Sequence, residues 1–464
     1  MTAARQHVCI IGLGYVGITL AIAMANAGFA IDGVERSPLV LEALRGGLAN
    51  VHEDGLAESL ARHLAEGRIR LHESVPRGRS NDVYIVTVGT PVREDSRVDL
   101  DSVGKAMADV AVVLKDGDLV ILRSTIKIGT SRALAERILD PRGVDYDVAF
   151  CPERTVEGKA IAELRTLPQI VGGRDERAAA AARAVFAVLT PKVVVVESLE
   201  VAEMAKLVSN TYRDVTFSFA NEIALMCDAI GISAADVIHA ACEDYPRARI
   251  PSPGLVGGPC LTKDSLILAE GMGEHGVYPS VTMASRSLNQ SIPASSLLSI
   301  RRLLEDLGQS SLDGHKISIL GLAFKGAPET IDLRGTMAFE VVGSLKGAWS
   351  GAQYVGYDPV VPHEEFGRFG LEPVSSLEQA FEGASLVVIQ NNHRAFVRMP
   401  LASLMAEMRS PGLVYDFWGL FSRASVTWPQ GRRYAAFGSS GLPAREPSGA
   451  GRFGGTGHAE LRAG

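Results

Sequence analysis

The chain has 464 residues, a formal net charge of -7, 47% hydrophobic residues and 21% charged residues. That length exceeds one ordinary core, so two or three domains are expected of a globular composition. The acidic balance argues against a dedicated nucleic-acid surface, which needs clustered basic charge, but a nucleotide ligand needs only a few local Arg and Lys side chains.

In chain order, His7–Ile11 reads as a short buried strand, followed by Gly12-Leu13-Gly14-Tyr15-Val16-Gly17 and an apolar helical run. Ala30–Val34 is a second strand ending at Glu35, and 83–88 and Leu119–Leu122 are further apolar strands. Strands alternating with helices imply a parallel sheet wound on both faces, and this first domain is placed at 1–197. Residues 201–230 form one long helix without Gly or Pro, apolar on more than one face, suited to be a spine and a subunit interface. It opens a helical region at 198–311. A second alternating region carries KISILGL, AQYVGYD, SLVVIQN and GLVYDFW, which read as four strands of another open α/β domain at 312–437. The fold class is therefore α/β, with two Rossmann-like doubly wound domains joined by a long central helix. Residues 438–464 are Gly-, Ser- and Arg-rich and are expected to be a disordered tail.

The five cysteines, Cys9, Cys151, Cys227, Cys242 and Cys260, are odd in number and form no CxxC, which disfavours both a disulfide framework and a structural zinc site. No metal is expected. No apolar run reaches membrane-spanning length and no signal peptide is evident, so a cytoplasmic protein away from the membrane is expected.

The glycine fingerprint gains weight from its setting between a strand and a helix, with an acidic residue at the end of the next strand. Gly12 permits a tight turn, Gly14 lets the backbone approach a pyrophosphate at the helix N-terminus, and Gly17 permits close helix–strand packing. Tyr15 and Val16 open that helix. Glu35 is placed to accept from adenosine ribose hydroxyls and to repel a 2′-phosphate, favouring NAD over NADP, with Arg36 beside it. Thr90 and Thr125 follow predicted strands, where open parallel sheets bind ligands, although ordinary turn chemistry gives the same residues. Glu153 and Glu157 lie four apart, as paired acids or as a solvated helix start, with Arg154 between them. Lys206 and Asn210 are also four apart, either as a pair that stabilises an oxyanion or as a snorkelling lysine and a surface amide. The stretch PSPGLVGGPCLTKD presents Cys260 on a loop crowded with glycine and proline, which fits a placed nucleophile whose pKa is lowered by Lys206 or Lys263.

Taken together, GLGYVG, GTP, STIKIGT, CPERTVEGKA, AEMAKLVSNTYRD, PGLVGGPCLTKDS and LGLAFKGAPETIDLRGT resemble the UDP-glucose/GDP-mannose dehydrogenase family in that family's order, over about residues 7–430. The resemblance implies an NAD-dependent nucleotide-sugar 6-dehydrogenase that works as a homodimer or higher homo-oligomer. Such an enzyme takes a sugar CH2OH to a carboxylate with two NAD and no metal, for polysaccharide precursors. By position it makes Cys260 the nucleophile, Lys206 and Asn210 the oxyanion holders, and Asp264 with Thr125 the pair at the catalytic water. Glu153 and Glu157 fall on the acids of substrate contact and thioester hydrolysis. Lys325 and Arg334 fall in the C-terminal nucleotide-binding motif, and Arg154, Arg247 and Gly257 join the expected UDP-sugar contacts. TYRDVTFSFANEIAL, YPRARIPSPG and Asn392-His393 are similar to the branch acting on UDP-N-acetylhexosamines, so UDP-N-acetyl-D-mannosamine or UDP-N-acetyl-D-glucosamine is expected, with UDP-glucose as the alternative. Leu255-Val256-Gly257-Gly258-Pro259 is the segment where the UDP-glucose branch commonly has an aromatic, and Trp418 stands where many relatives have a basic residue. Two other readings are a single-step hydroxyacid dehydrogenase of the 6-phosphogluconate type and a catalytically silent nucleotide-sugar binder.

Overall fold

The computed structural model describes residues 7–48, 53–78, 82–93, 95, 97–421 and 427–441. Fourteen strands are assigned among them. The first sheet holds β1 (His7–Ile11), β2 (Ala30–Val34), β3 (Ile69–His72), β4 (Val83–Val86), β5 (Leu119–Leu122), β6 (Asp147–Phe150), β7 (Gln169–Gly173) and β8 (Val193–Val196). Their order is β3-β2-β1-β4-β5-β6-β7-β8, parallel throughout except for the antiparallel β6–β7 pair. The second holds β9 (Lys316–Leu320), β10 (Gln353–Tyr357), β11 (Glu372–Pro373), β12 (Ala384–Ile389), β13 (Gly412–Asp416) and β14 (Arg432–Ala436), all parallel in the order β11-β10-β9-β12-β13-β14. Each sheet reverses direction beside its first strand, between β1 and β4 and between β9 and β12. That reversal opens a crevice at the carboxyl ends of the strands.

The period-2 geometry of a strand explains why these runs are apolar on both sides. In β4, Val83 and Ile85 enter one core with Leu20 and Ile121, whereas Tyr84 and Val86 enter the opposite core with Met107 and Leu122. The expected strand 83–88 stops at Val86, because Thr87 already turns its hydroxyl onto the carbonyls of Ile11 and Gly12.

The long helix spans Leu199–Ile230, capped by the Ser198 hydroxyl and ended by Gly231 in the left-handed region at φ 73°. The helices Leu261–Gly273 and Ser280–Asp306 pack along it. Of the segment expected to be disordered, residues 438–441 are held in place. The Asp228 carboxylate accepts the Gly438 and Ser440 amides at 3.1 Å each, and the Gly438 carbonyl accepts Ala234 N–H at 2.7 Å. The rest of that segment lies outside the described residues. No described helix is long and apolar enough to cross a membrane.

Candidate active site

At the first crevice, the three glycines are demanded for three different reasons. Gly12 has φ +93°, and a Cβ there would lie 2.9 Å from Val88; on Gly17 it would lie 1.9 Å from the Gly12 carbonyl oxygen. Gly14 is the opposite case, with open space where a Cβ would stand. It is also the N-cap of the helix Tyr15–Asn26 and has no side chain to cap it, so orphan N–H groups face the opening. That is the cradle a pyrophosphate requires. Val16 is half-buried in the first turn. Glu35 follows β2 with one carboxylate oxygen on Leu13 N–H at 3.0 Å and the other on Ser37 N–H at 2.9 Å, so it braces the glycine loop. Arg36 turns away and pairs with Asp109 at 2.5 Å on the surface.

Tyr15 does more than open the helix. Its hydroxyl donates to Glu53 at 2.6 Å and accepts Gly158 N–H at 3.1 Å, while Glu53 also takes the amides of Gly158 and Ile161. Sequence reading missed Glu53, which sits beside Asp54 with no motif to mark it and becomes visible only when the 156–161 loop folds onto it.

Cys260 is exposed to the cleft at the N-terminus of the helix Leu261–Gly273, with the Lys263 and Asp264 amides bonded back to its carbonyl. Around it stand the residues the sequence singled out. Lys206, buried on the long helix, donates to the Glu153 carbonyl at 2.6 Å, which leaves further N–H donors of its ammonium for a ligand. One turn on, the Asn210 amide donates to Asp264 Oδ2 at 2.6 Å. Asp264 is 1% exposed, and its Oδ1 has no hydrogen-bond partner among the described residues. Burial pushes the Asp264 carboxyl pKa up against the opposing charges of Lys206 and Lys263. The cysteine is reachable from the cleft but densely surrounded by protein, and that desolvation, with the Asp264 charge, raises its thiol pKa as well. The expected lowering by Lys206 or Lys263 is thus corrected: both oppose the rise, as does Arg213, without reversing it.

Lys263 ties this cluster to the first sheet. Its ammonium donates to the Thr90 carbonyl at 2.9 Å and hydroxyl at 3.2 Å, and the Thr90 hydroxyl donates to the Thr125 carbonyl at 2.6 Å. The loops after β4 and β5 therefore meet the helix that Cys260 precedes. Glu203, one turn before Lys206, anchors the Thr125 loop by accepting Gly129 and Ser131 N–H groups, and burial pushes its carboxyl up to about 7.

The two acids of CPERTVEG are not equivalent. Burial of Glu153 would raise its pKa, but the buried Arg123 guanidinium at 2.6 Å and the amides of Arg154 and Thr155 outweigh that and hold it below the usual range. Its carboxylate is thereby fully engaged, Arg154 is exposed beside it, and what reaches Lys206 is the Glu153 peptide oxygen. Arg123 was passed over because RST after a strand reads as turn chemistry. Glu157, raised mainly by burial, accepts the Thr330 hydroxyl at 2.5 Å, and its carbonyl accepts Lys325 at 2.5 Å. Arg334 pairs with Asp332 at 2.6 Å. A cavity of 440 Å³ lies between Gly14 and Tyr15 on one wall and Glu157, Asp332 and Arg334 on the others.

Two expected contacts, Gly257 and Arg247, have other neighbours in the fold, as do the residues at the family's variable positions. Gly257 serves packing, since a Cβ there would lie 2.5 Å from the Gly335 carbonyl oxygen. Arg247 is exposed and stacked over Tyr245, 4.8 Å from the ring centroid. Leu255 and Val256 are buried. Trp418 donates its indole N–H to the Gln390 carbonyl at 2.8 Å and lies against Gly254.

Comparison with known proteins matches the NAD binding domain of the UDP-glucose/GDP-mannose dehydrogenase family to residues 6–190, its central domain to 200–291 and its UDP binding domain to 318–423. A UDP-N-acetyl-D-mannosamine dehydrogenase of Pyrococcus horikoshii is 32% identical over 413 residues, covering 87% of this chain and 93% of that protein. A solved UDP-D-ManNAc dehydrogenase structure from P. horikoshii superposes with TM-score 0.84 at 29% identity, over 94% of this chain and 100% of the other. A UDP-glucose dehydrogenase structure from Pyrobaculum islandicum gives TM-score 0.79 at 26% identity, over 93% and 99%.

Proposed function

The chain belongs to the UDP-glucose/GDP-mannose dehydrogenase family and is an NAD-dependent UDP-sugar dehydrogenase, and from that premise we propose that it oxidises the C6 hydroxymethyl of UDP-N-acetyl-D-mannosamine to a carboxylate through a covalent thioester on Cys260. The observation that carries this reading is the convergence of Cys260, Lys206, Asn210 and Asp264, joined through Lys263 to the loops of Thr90 and Thr125. A single-step hydroxyacid dehydrogenase has no use for such a cysteine. A silent binder has no use for a buried carboxylate oxygen left without a partner.

NAD, when bound, supplies the hydride acceptor, held by the Gly12–Gly14–Gly17 loop with Glu35 at the ribose. The protein's own groups do the rest. At the aldehyde stage the Cys260 sulfur bonds to C6, and the carbonyl oxygen becomes an oxyanion facing Lys206 and Asn210. After the second oxidation the sulfur is acylated. Asp264 takes a proton from water, the C–O bond forms, and the C–S bond breaks to return the thiolate. In total the hydroxymethyl, one water and two NAD give one carboxylate, two NADH and three protons. In this proposal Glu157 and Thr125 have a part in positioning the hydrolytic water, and Lys325 and Arg334 take the diphosphate side.

The choice of acetylated sugar rests on the named relatives, because Leu255 and Val256 are buried and Arg247 lies on Tyr245. Comparing kcat/KM for UDP-ManNAc, UDP-GlcNAc and UDP-glucose tests it. The expected result is at least a tenfold preference for an acetylated sugar, since a pocket built for a polar group discriminates strongly. Preference for UDP-glucose would overturn the assignment.

The assembly is proposed to be a homodimer through the long helix. Val201, Val208, Tyr212, Phe219, Met226 and Ile230 are each 43–66% exposed and recur at spacings of seven and four, which align them in one stripe. A second copy of the chain would cover it. Sedimentation should give a dimer at micromolar concentration and a monomer for the Tyr212→Glu, Phe219→Glu double variant; a monomeric wild type would refute the interface.

A further inference from the structure

The polar face of the long helix does not stop at Asn210. Asp214 follows four residues on, then Asn221, and both are 0% exposed. They meet Arg286 and Asn289 of the helix Ser280–Asp306, which are 1% and 0% exposed. Asp214 accepts Arg286 at 2.9 Å, Asn289 at 2.8 Å and the Ser265 hydroxyl at 3.1 Å. Asn221 donates to Asn289 at 2.9 Å. A buried network of this kind is costly unless its members are satisfied, and here the cysteine loop takes up further donors and acceptors, the Arg286 Nε alone of that guanidinium having no hydrogen-bond partner among the described residues. Arg286 donates to the carbonyls of Val256 and Leu261, each at 3.2 Å, and Asn221 accepts the Gly254 amide at 2.9 Å.

We propose that Arg286 is a positioning residue for Cys260, clamping the loop backbone on both sides of the sulfur-bearing residue so that the long helix, which carries Lys206 and Asn210, and the loop keep one register. The inference rests on Cys260 being the nucleophile. Arg286 touches no reacting atom. Its planar guanidinium reaches two carbonyls and one carboxylate at once, with Asp214 neutralising its charge where no water reaches. A lysine keeps the charge, but its donors all sit on one nitrogen, whereas the guanidinium meets these acceptors from two. Asn221 holds the far end of the same loop through its own side-chain oxygen and meets the ion pair only by way of Asn289. Addition of a sulfur to an aldehyde depends steeply on approach, and a displacement of about 1 Å costs on the order of 10²-fold in rate.

The test uses the full chain with NAD and the preferred UDP-sugar. Arg286→Lys is expected to lower kcat for acid formation by about 10–100-fold, with KM for the sugar and Kd for NAD within about threefold of wild type. It should also change the rate and pH profile of Cys260 alkylation by iodoacetamide, which a purely structural role would leave alone in a folded variant. Asn221→Ala, which spares the ion pair, should move the same readouts in the same direction by a smaller factor, and it decides the matter if Arg286→Lys does not fold. Wild-type kcat and alkylation profile in the folded variant, or a loss confined to KM, would overturn the clamp. Intact acid formation by wild type whose Cys260 is fully alkylated would overturn the nucleophile reading instead, and the clamp's purpose with it.

Discussion

Cys260→Ala is expected to abolish net acid formation while leaving NAD binding at the wild-type level, because among the described residues the glycine loop and Glu35 bond to other partners and not to the cysteine helix. Isothermal titration of NAD and mass-spectrometric assay of the acid check the two halves. Cys260→Ser should instead accumulate an acyl ester, since an alkoxide leaves more reluctantly than a thiolate. The thiol pKa lies above its ordinary 9.0 because desolvation and Asp264 disfavour the anion. Thiolate, the reactive form, therefore grows only as pH rises past the usual thiol range. Inactivation of wild type by iodoacetamide should go on accelerating beyond that pH, and a plateau near neutrality would contradict the electrostatics described.

Lys206→Ala should lower kcat by about 10²–10³-fold, the usual loss when one preorganised oxyanion donor is removed. The lysine is 8% exposed and faces Glu153's carbonyl, so its charge is weakly screened and acts at close range. In the proposed mechanism the oxyanion exists only after the sulfur has added, so KM for the sugar should change much less than kcat. Steady-state kinetics with a melting curve separates this from misfolding, and a variant that loses only KM would assign Lys206 to substrate binding.

How much of this was legible beforehand divides along a physical line. Gly12, Gly14 and Gly17 were readable because each answers a local demand of backbone or packing that only glycine meets. Cys260 was readable because its loop is permissive and its helix starts there. The long helix was placed within two residues of its start, since thirty-two residues without Gly or Pro leave little alternative. Strands β3, β6, β7, β8, β11 and β14 were not named: β3 buries only its first residue, β6 is four residues opening on an aspartate, β7 ends in two glycines, β8 is a half-exposed edge, β11 is two exposed residues and β14 opens on two arginines. Arg123, Glu53 and Arg286 were invisible for another reason. Each makes its bonds across about 25 residues or more of sequence, and nothing in the neighbouring residues marks a buried guanidinium or a bridging carboxylate. The spacing that revealed Lys206 and Asn210 did contain a signal for Asp214, the next step of four on the same face.

The central claim is a four-electron oxidation retained on one sulfur. Its most direct test is the ratio of NADH formed to UDP-sugar consumed, with the product identified by mass. The account predicts two NADH per sugar and a uronic acid, with no free aldehyde. One NADH per sugar, with an aldehyde or ketone released, would contradict it.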